Sequence, residues 1–298
     1  MNTPEISIVM PAYNAAKYIT ESITSILNQS FTRWELIVVN DGATDNTTEI
    51  VSSFLSDSRI LLINQSNKGV SAARNAGISI AKGAFITFLD ADDAYLPENL
   101  EVKYEAIHAD EGIEYVYSDI MLCDADLKNK FVEKGATTDM IREASLTWAP
   151  ISIPGFASNI MIKSSVVTDK NIYFDTNLSN CADRYFKILL ASQCKGAYIP
   201  RAIAKYRDTP GSMSKKVYLL EHDELYILDR IKEKNIIPPG KIRRRVFAKV
   251  YLILSGSWYK DAKKTGRAIR FALLAFLYSP EIFFKLLQKG RKLVIPKK

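Results

Sequence analysis

Apolar positions in the first hundred residues follow two alternating rhythms. Ile6 to Met10 is a short, nearly unbroken apolar run stopped by Pro11-Ala12-Tyr13-Asn14, and it reads as a strand. Ile19, Ile23, Ile26 and Leu27 then share one helical face, which ends near Asn28-Gln29-Ser30. Leu36 to Val39 predicts a second strand. In the turn Asn40-Asp41-Gly42-Ala43-Thr44-Asp45, Gly42 allows the reversal, and Asp45 or Thr44 can cap a helix carrying Ile50, Val51, Phe54 and Leu55. Ile60 to Ile63 is a third strand, and the small residues between Val70 and Ile78 predict a helix packed closely on a sheet. Phe85 to Leu89 is a fourth strand, and Pro97 opens a helix with Leu100, Tyr104 and Ile107 on one face. Such alternation implies an α/β fold with a largely parallel sheet and crossover helices.

The rhythm weakens after Ile113–Tyr117. Asp124 to Lys130 reads as a hairpin tip, Thr147 to Phe156 as an irregular loop with Pro150 and Pro154, and Asn159 to Ile162 as an inner strand. Ala182 to Ser192 is a helix and Ala202 to Tyr206 a last strand. From Lys215 only helix is expected, broken at Pro238-Pro239-Gly240, so the chain divides into domains 1–214 and 215–298. Phe271 to Leu277 is too short to cross a bilayer, since Arg267 and Arg270 precede it and Pro280-Glu281 follow.

Charge sharpens that division. Residues 241–298 hold 16 Lys and Arg against Asp261 and Glu281, a net +14, which leaves −7 for the first 240 residues of a chain whose total is +7. The basic end suits a polyanion or an anionic membrane, and the acidic front suits a phosphate-bearing ligand only through a metal. Arg243-Arg244-Arg245, Lys263-Lys264 and Lys297-Lys298 interleave with Phe271, Leu274, Phe276, Leu277, Phe283, Phe284, Leu286 and Leu287. This mixture predicts a basic, amphipathic helical extension lying on an anionic membrane surface, with no nucleic acid partner. A solvated helical face, or packing of the apolar face in a homo-oligomer, is the alternative. Cys123, Cys181 and Cys194 lack any paired short spacing, so neither a disulfide framework nor a structural zinc site is expected, and a cytoplasmic setting follows. The N-terminus runs straight into a strand, with no signal-peptide pattern.

The candidate chemistry lies at strand ends. Asp90-Ala91-Asp92 closes the fourth strand with two carboxylates that repel unless a cation lies between them, and oxygen-only ligation suits Mg2+ or Mn2+. A polar turn with a helix cap is the plainer reading of the same residues. Tyr13 can stack on a base or simply pack at a strand end. Asp41 can accept a base N–H or simply form a turn, and Arg74 offers a bidentate fork to phosphate or carboxylate.

Ser7-Ile8-Val9-Met10-Pro11-Ala12-Tyr13-Asn14, Val38-Val39-Asn40-Asp41-Gly42-Ala43-Thr44-Asp45, Asn67-Lys68-Gly69 with Ala73-Arg74-Asn75, and Phe88-Leu89-Asp90-Ala91-Asp92-Asp93 together resemble the inverting family 2 glycosyltransferases of GT-A fold. The resemblance is close over Ile6 to Pro97 and looser to about Ser214. It implies a donor site formed by Pro11, Tyr13, Asn14, Asp41, Lys68, Arg74, Asp90 and Ala91, with Asp92 as ligand of Mn2+ or Mg2+. It also implies that Asp183, in Cys181-Ala182-Asp183-Arg184-Tyr185-Phe186, is the catalytic base, with Ala182 where relatives carry an acid; a helix cap is the competing role. Tyr206 to Ser214 resembles the segment that closes over the diphosphate. There Arg207, Ser212 and Ser214 are phosphate partners, and Thr209 stands where relatives often have His. Trp148 is a candidate acceptor contact, or a core or lid residue.

The expected function is metal-dependent, inverting transfer from a nucleotide sugar, UDP-linked by preference, to a saccharide or lipid-linked saccharide in surface polysaccharide synthesis. The enzyme would work peripherally at the inner face of the cell membrane. A non-catalytic nucleotide-sugar-binding subunit is the rival of a different class, motivated by Ala182 and Thr209. A nucleotidyltransferase is the other rival, though Pro11 to Lys17 offers no Gly- and basic-rich phosphate loop.

Overall fold

The computed structural model describes residues 3–141, 145, 153–208, 217–282 and 284. The chain divides into two compact units, one built from residues of Met1–Ser145 and Ile151–Ser212, the other from residues of Met213–Lys298.

In the first unit, β1 (Ile6–Ala12) is buried along its whole length: parallel strands β2 (Trp34–Asp41) and β4 (Phe85–Phe88) pair with its two edges, and helical residues such as Ile23 and Gly77 pack on its two faces. A strand buried on both faces needs the unbroken apolar run seen here rather than an alternating one. β3 (Ile60–Gln65) continues the parallel set beyond β2, and α1 (Ile19–Leu27), α2 (Thr47–Ser52), α3 (Val70–Ile80) and α4 (Asn99–His108) are the connecting helices. Among the described residues the sheet has nine strands, ordered β3-β2-β1-β4-β8-β6-β9-β5, with β7 paired to β6. Here β5 is Ala94–Tyr95, β6 Tyr115–Cys123, β7 Asn129–Glu133, β8 Ile160–Lys163 and β9 Gly196–Arg207. Only β5, β7 and β8 run against the common direction, so the sheet is mostly parallel with antiparallel insertions. Among the described residues three further helices belong to this unit: α5 (Phe156–Asn159), α6 (Ser164–Asp169) and α7 (Ala182–Gln193).

Two details differ from the sequence pattern. β9 begins six residues before Ala202, at Gly196. Pro200 and Arg201 break the apolar alternation there, and the pairing with β6 shifts register at the same place, from Ser118 opposite Ile199 to Asp119 opposite Ala202. The other is the anchoring of β4. Ser7 Oγ donates to Glu35 at 2.6 Å and accepts the Gly83 N–H at 2.8 Å, so two buried polar side chains inside β1 and β2 hold the entry to β4.

Close packing of α3 on β1 follows the small residues as expected. A Cβ placed on Gly77 would lie 2.4 Å from Val9 Cγ1, at the centre of the sheet. Gly77→Ala should therefore destabilise the protein by about 1–2 kcal/mol. The overpacking cost is ~1–3 kcal/mol, and the better helix propensity of Ala returns at most about 1 kcal/mol. Urea denaturation measures this, and a variant as stable as the parent would mean that α3 can slide away from Val9 at no cost.

The second unit is helical: α8 (Val217–Glu233), α9 (Lys241–Lys260) and α10 (Thr265–Tyr278). Tyr251 of α9 lies 6.1 Å from Phe271 and 5.5 Å from Tyr278 of α10, so these two helices form a hairpin around an aromatic seam. Arg267 lies 4.5 Å over the Trp258 ring and 3.5 Å from Glu221, which ties α10 to α8.

Candidate active site

The strand order places a topological switch between β1 and β4, since the chain winds outward to β3 and returns to the other side of β1. Open α/β sheets bind ligands at the carboxyl ends of strands beside such a switch. Pro11 and Ala12 pair with Val39 and Asn40, Asp41 pairs with Gln65, and Leu89 follows directly from β4, so the loops after β1, β2 and β4 emerge along one edge.

On the β1–β2 side, the loops are sewn together by polar contacts. Asn14, in a left-handed conformation, accepts the Thr44 N–H at 2.8 Å, while Ala15 and Ala16 N–H donate to Thr47 Oγ1 and Asp45. Pro11 is buried in this framework, and Tyr13 stands out of it at 51% exposure. Its ring is open to a stacking partner. Asp41 is buried: Oδ1 accepts from Gln65 Nε2 and the Lys68 N–H, and Oδ2 from the Gly69 N–H at 2.8 Å. The carboxylate thus builds the turn that starts α3, and Oδ2 keeps lone-pair capacity for a ligand N–H. Gly42, at φ +73°, passes so close to Asn67 that a Cβ would meet its backbone nitrogen at 2.8 Å. The exposed Lys68 lies on the same turn. Asn40 faces inward to Thr48, Asn64 and the Ala43 N–H.

At the β4 end, Arg74 organises the charges. This residue of α3 is almost fully buried, and its fork reaches Asp90 Oδ1 at 2.7 Å through Nη2 and Asp183 Oδ1 at 2.6 Å through Nη1. Burial opposes its charge, but Asp183 and Asp90 outweigh that cost and hold the guanidinium more firmly protonated than usual. Phe174 lies 5.0 Å beneath the guanidinium and stacks on Phe186 at 4.2 Å, giving the pair an aromatic floor. Asp183 enters from the first turn of α7. Burial and Asp90 raise its pKa, against the pull of Arg74. Its Oδ2 makes no hydrogen bond among the described residues, and 39% of the side chain is exposed.

Asp92 is pushed up to about 6 by burial and by the neighbouring Asp90, with Arg207 opposing. Asp93 is buried, and burial, Asp92 and Asp90 raise it well above the usual carboxylate range; it serves as an anchor. It accepts the Arg207 N–H at 2.9 Å and the Ser158 hydroxyl, while Ser158 Oγ also accepts the Asp90 N–H at 3.1 Å. Ser22 donates to the Ala91 and Asp93 carbonyls at 2.9 and 2.7 Å. The Asp90–Asp93 turn is therefore gripped from α1, α5 and β9.

Arg207 is brought to this turn, but its guanidinium is engaged with protein. Nε donates to the Asp92 carbonyl at 2.6 Å, Nη1 to the Ala125 carbonyl and Nη2 to Glu21 at 2.6 Å, with the Tyr18 ring 4.4 Å away. Arg74 likewise meets carboxylates rather than open space. Trp148, Thr209, Ser212 and Ser214 lie outside the described residues. Ser158, Ser22 and Glu21 carry no sequence signal, because nothing local marks a hydroxyl that meets a turn about 70 positions away or a carboxylate that meets Arg207, 186 positions away.

The donor set at Asp90 and Asp92 fits a hard divalent cation. No cluster of three or more His, Cys, Asp or Glu suited to a metal occurs among the described residues. Two carboxylates nevertheless suffice for Mg2+ or Mn2+, which keep waters and take substrate phosphate oxygens. The like charges of Asp90 and Asp92, one of them largely desolvated, are what such an ion relieves.

The family and the fold are shared with known proteins. Residues 7–152 match the family model described as Glycosyl transferase family 2. An uncharacterized glycosyltransferase of Haemophilus influenzae is 47% identical over 103 residues, 34% of this chain and 41% of that protein. The Escherichia coli UDP-Glc:alpha-D-GlcNAc-diphosphoundecaprenol beta-1,3-glucosyltransferase WfgD is 40% identical over 129 residues, 43% of this chain and 50% of that protein. The matched stretches thus span half or less of these relatives' length. Among solved structures, S. aureus TarS 1-349 superposes with a TM-score of 0.68 at 18% identity, over 94% of this chain and 82% of that one. The mannosyltransferase PcManGT of Pyrobaculum calidifontis, solved with GDP-Man and Mn2+, gives 0.61 at 15% identity over 100% and 82%. These last two likenesses establish the fold.

Proposed function

We propose, on the premise that residues 7–152 belong to glycosyl transferase family 2, that this protein is a metal-dependent, inverting glycosyltransferase of cell-surface polysaccharide synthesis. The donor is a nucleotide sugar, UDP-linked by preference, and the acceptor a saccharide or lipid-linked saccharide. WfgD is named for a UDP-sugar donor and a diphosphoundecaprenol-linked acceptor, and TarS has been solved with UDP-GlcNAc. A lipid-linked acceptor would place the reaction at the inner face of a membrane.

The observation that carries this reading is the Arg74 fork. It joins Asp183 to Asp90 across a separation of 109 positions from Arg74 to Asp183, so the candidate base stands beside the donor-side carboxylates. Tyr13 stacks on the nucleobase, and Asp41 and the Lys68–Gly69 turn border the same edge. The acceptor hydroxyl approaches the anomeric carbon from the side opposite the nucleotide. As the new glycosidic bond forms, the hydroxyl proton passes to Asp183 Oδ2 and the bond to the diphosphate breaks with its electrons. Arg74 holds Asp183 in place through Oδ1 and keeps Oδ2 free. A divalent cation held by Asp92 and Asp90 would supply charge stabilisation for the leaving diphosphate. Arg207 positions the Asp92 backbone rather than meeting phosphate itself.

Chelation tests the metal assignment. EDTA should abolish release of nucleoside diphosphate from a UDP-sugar, and Mn2+ should restore it. Asp92→Ala should require much more Mn2+ or fail altogether, with an unchanged circular dichroism spectrum. Full turnover in EDTA, or full activity of Asp92→Ala at low Mn2+, would remove Asp92 from that role.

A further inference from the structure

Helix α10 has two unlike sides. Ala268, Phe271 and Ala275 are buried, with Phe271 on the aromatic seam with α9. Ile269, Leu273, Phe276 and Leu277 are spaced by four, three and one, so they line one stripe on the opposite side. They are 55%, 60%, 38% and 70% exposed. Phe284 extends the stripe by an edge-to-face contact with Phe276 at 5.9 Å. A solvated helix face ordinarily carries polar side chains, so a continuous apolar stripe marks a surface that meets something.

Charge indicates what that is. No acidic residue occurs between Lys263 and Ser279. Lys263, Lys264 and Arg270 are exposed and form no ion pair among the described residues, whereas Arg267 is held by Glu221 and Trp258. Beyond the stripe, residues 285–298 contain six Lys and Arg and no acid. With +14 over residues 241–298, two copies meeting face to face would repel each other, while an anionic surface would attract every one of these groups. No described helix is long and apolar enough to cross a membrane, so the face would lie on the surface.

We propose that the Ile269, Leu273, Phe276 and Leu277 face of α10 seats the protein on an anionic lipid surface. The apolar side chains enter the headgroup boundary, and Lys263, Lys264 and Arg270 meet lipid phosphates. The inference concerns the second unit alone and stands whatever reaction the first unit performs.

Vesicle co-sedimentation of the full chain tests it, with phosphatidylcholine alone and with phosphatidylcholine mixed with phosphatidylglycerol. The protein should pellet with the mixed vesicles and be released by salt. Leu273→Ser combined with Leu277→Ser should abolish pelleting. Lys263→Glu and Lys264→Glu should each weaken it at least about fivefold, the effect of one basic group near an anionic surface. All four residues are exposed, so the circular dichroism melt and donor turnover in solution should stay at parental values and report that folding is intact. Failure of the parent protein to bind the mixed vesicles would overturn the proposal, as would binding indifferent to both sets of changes. Size-exclusion chromatography that shows a dimer dissolved by the leucine changes, without vesicle binding, would assign the face to a second copy instead.

Discussion

Asp183→Asn is expected to lower sugar transfer by about 10³-fold, in the middle of the range that a general base contributes. Asn has nearly the shape of Asp, and its carbonyl oxygen can still accept from Arg74 Nη1, so the present 2.6 Å contact has a neutral replacement. What is lost is a group basic enough to take the acceptor proton. Steady-state turnover with donor and acceptor, beside a thermal melt, separates chemistry from folding. Near-parental turnover would exclude Asp183 as the base, and a melt collapsed along with the rate would make it a structural residue. The pH dependence has a definite sign. A base acts only when deprotonated, and burial and Asp90 raise the pKa of Asp183 above its ordinary 3.8. The rate should therefore fall as pH drops through a value above that, and the part of this acid limb that belongs to Asp183 should be missing from the residual activity of the Asn variant, where the protonation of Asp92 remains.

Arg74→Leu is the second large expected effect, and it falls on stability as well as activity. Among the described residues, the change removes the one charge that contacts both Asp90 and Asp183 directly, leaving two carboxylates to face each other. Breaking a buried ion pair from one side costs ~3–5 kcal/mol. Both carboxylates keep a solvent-facing side, so we expect about 3 kcal/mol here. Arg74→Lys should recover part of the stability but little activity, because an ammonium reaches one carboxylate and cannot span both as a fork does. Denaturant melts and turnover on the two variants check this. A fully active Arg74→Lys would mean that bridging Asp90 to Asp183 is not required.

Much of this site is legible in the chain because its motifs sit at element boundaries. Apolar runs locate β1, β2 and β4, and the residues just after each run are forced to the carboxyl edge of a parallel sheet. That logic brings Tyr13, Asp41 and Asp90 to Asp92 to one edge of the sheet. Asp41 shows where it stops. The residue pattern allows either a turn former or a ligand for a base, and the fold shows the carboxylate already accepting from Gln65 and the Lys68 and Gly69 amides. Arg207 shows it again: a guanidinium reads as a phosphate partner in sequence, yet its donors go to Glu21 and to two carbonyls. Asp93 is the buried acceptor that pins β9 to the Asp90–Asp92 turn, a role that no local pattern marks.

By itself, then, the order of residues determined the parallel α/β framework, the edge at which the chemistry gathers, and the contrast between an acidic front and a basic helical end. These depend on period and composition, which are local. Tertiary structure alone decided which charges meet. Arg74 pairs with Asp183 rather than standing open, Ser158 bridges the Asp90 amide to the Asp93 carboxylate, and one side of α10 is left apolar and exposed. Each of these is set by side chains that converge from distant elements, and no local spacing encodes a long-range hydrogen bond or the burial that gives it strength.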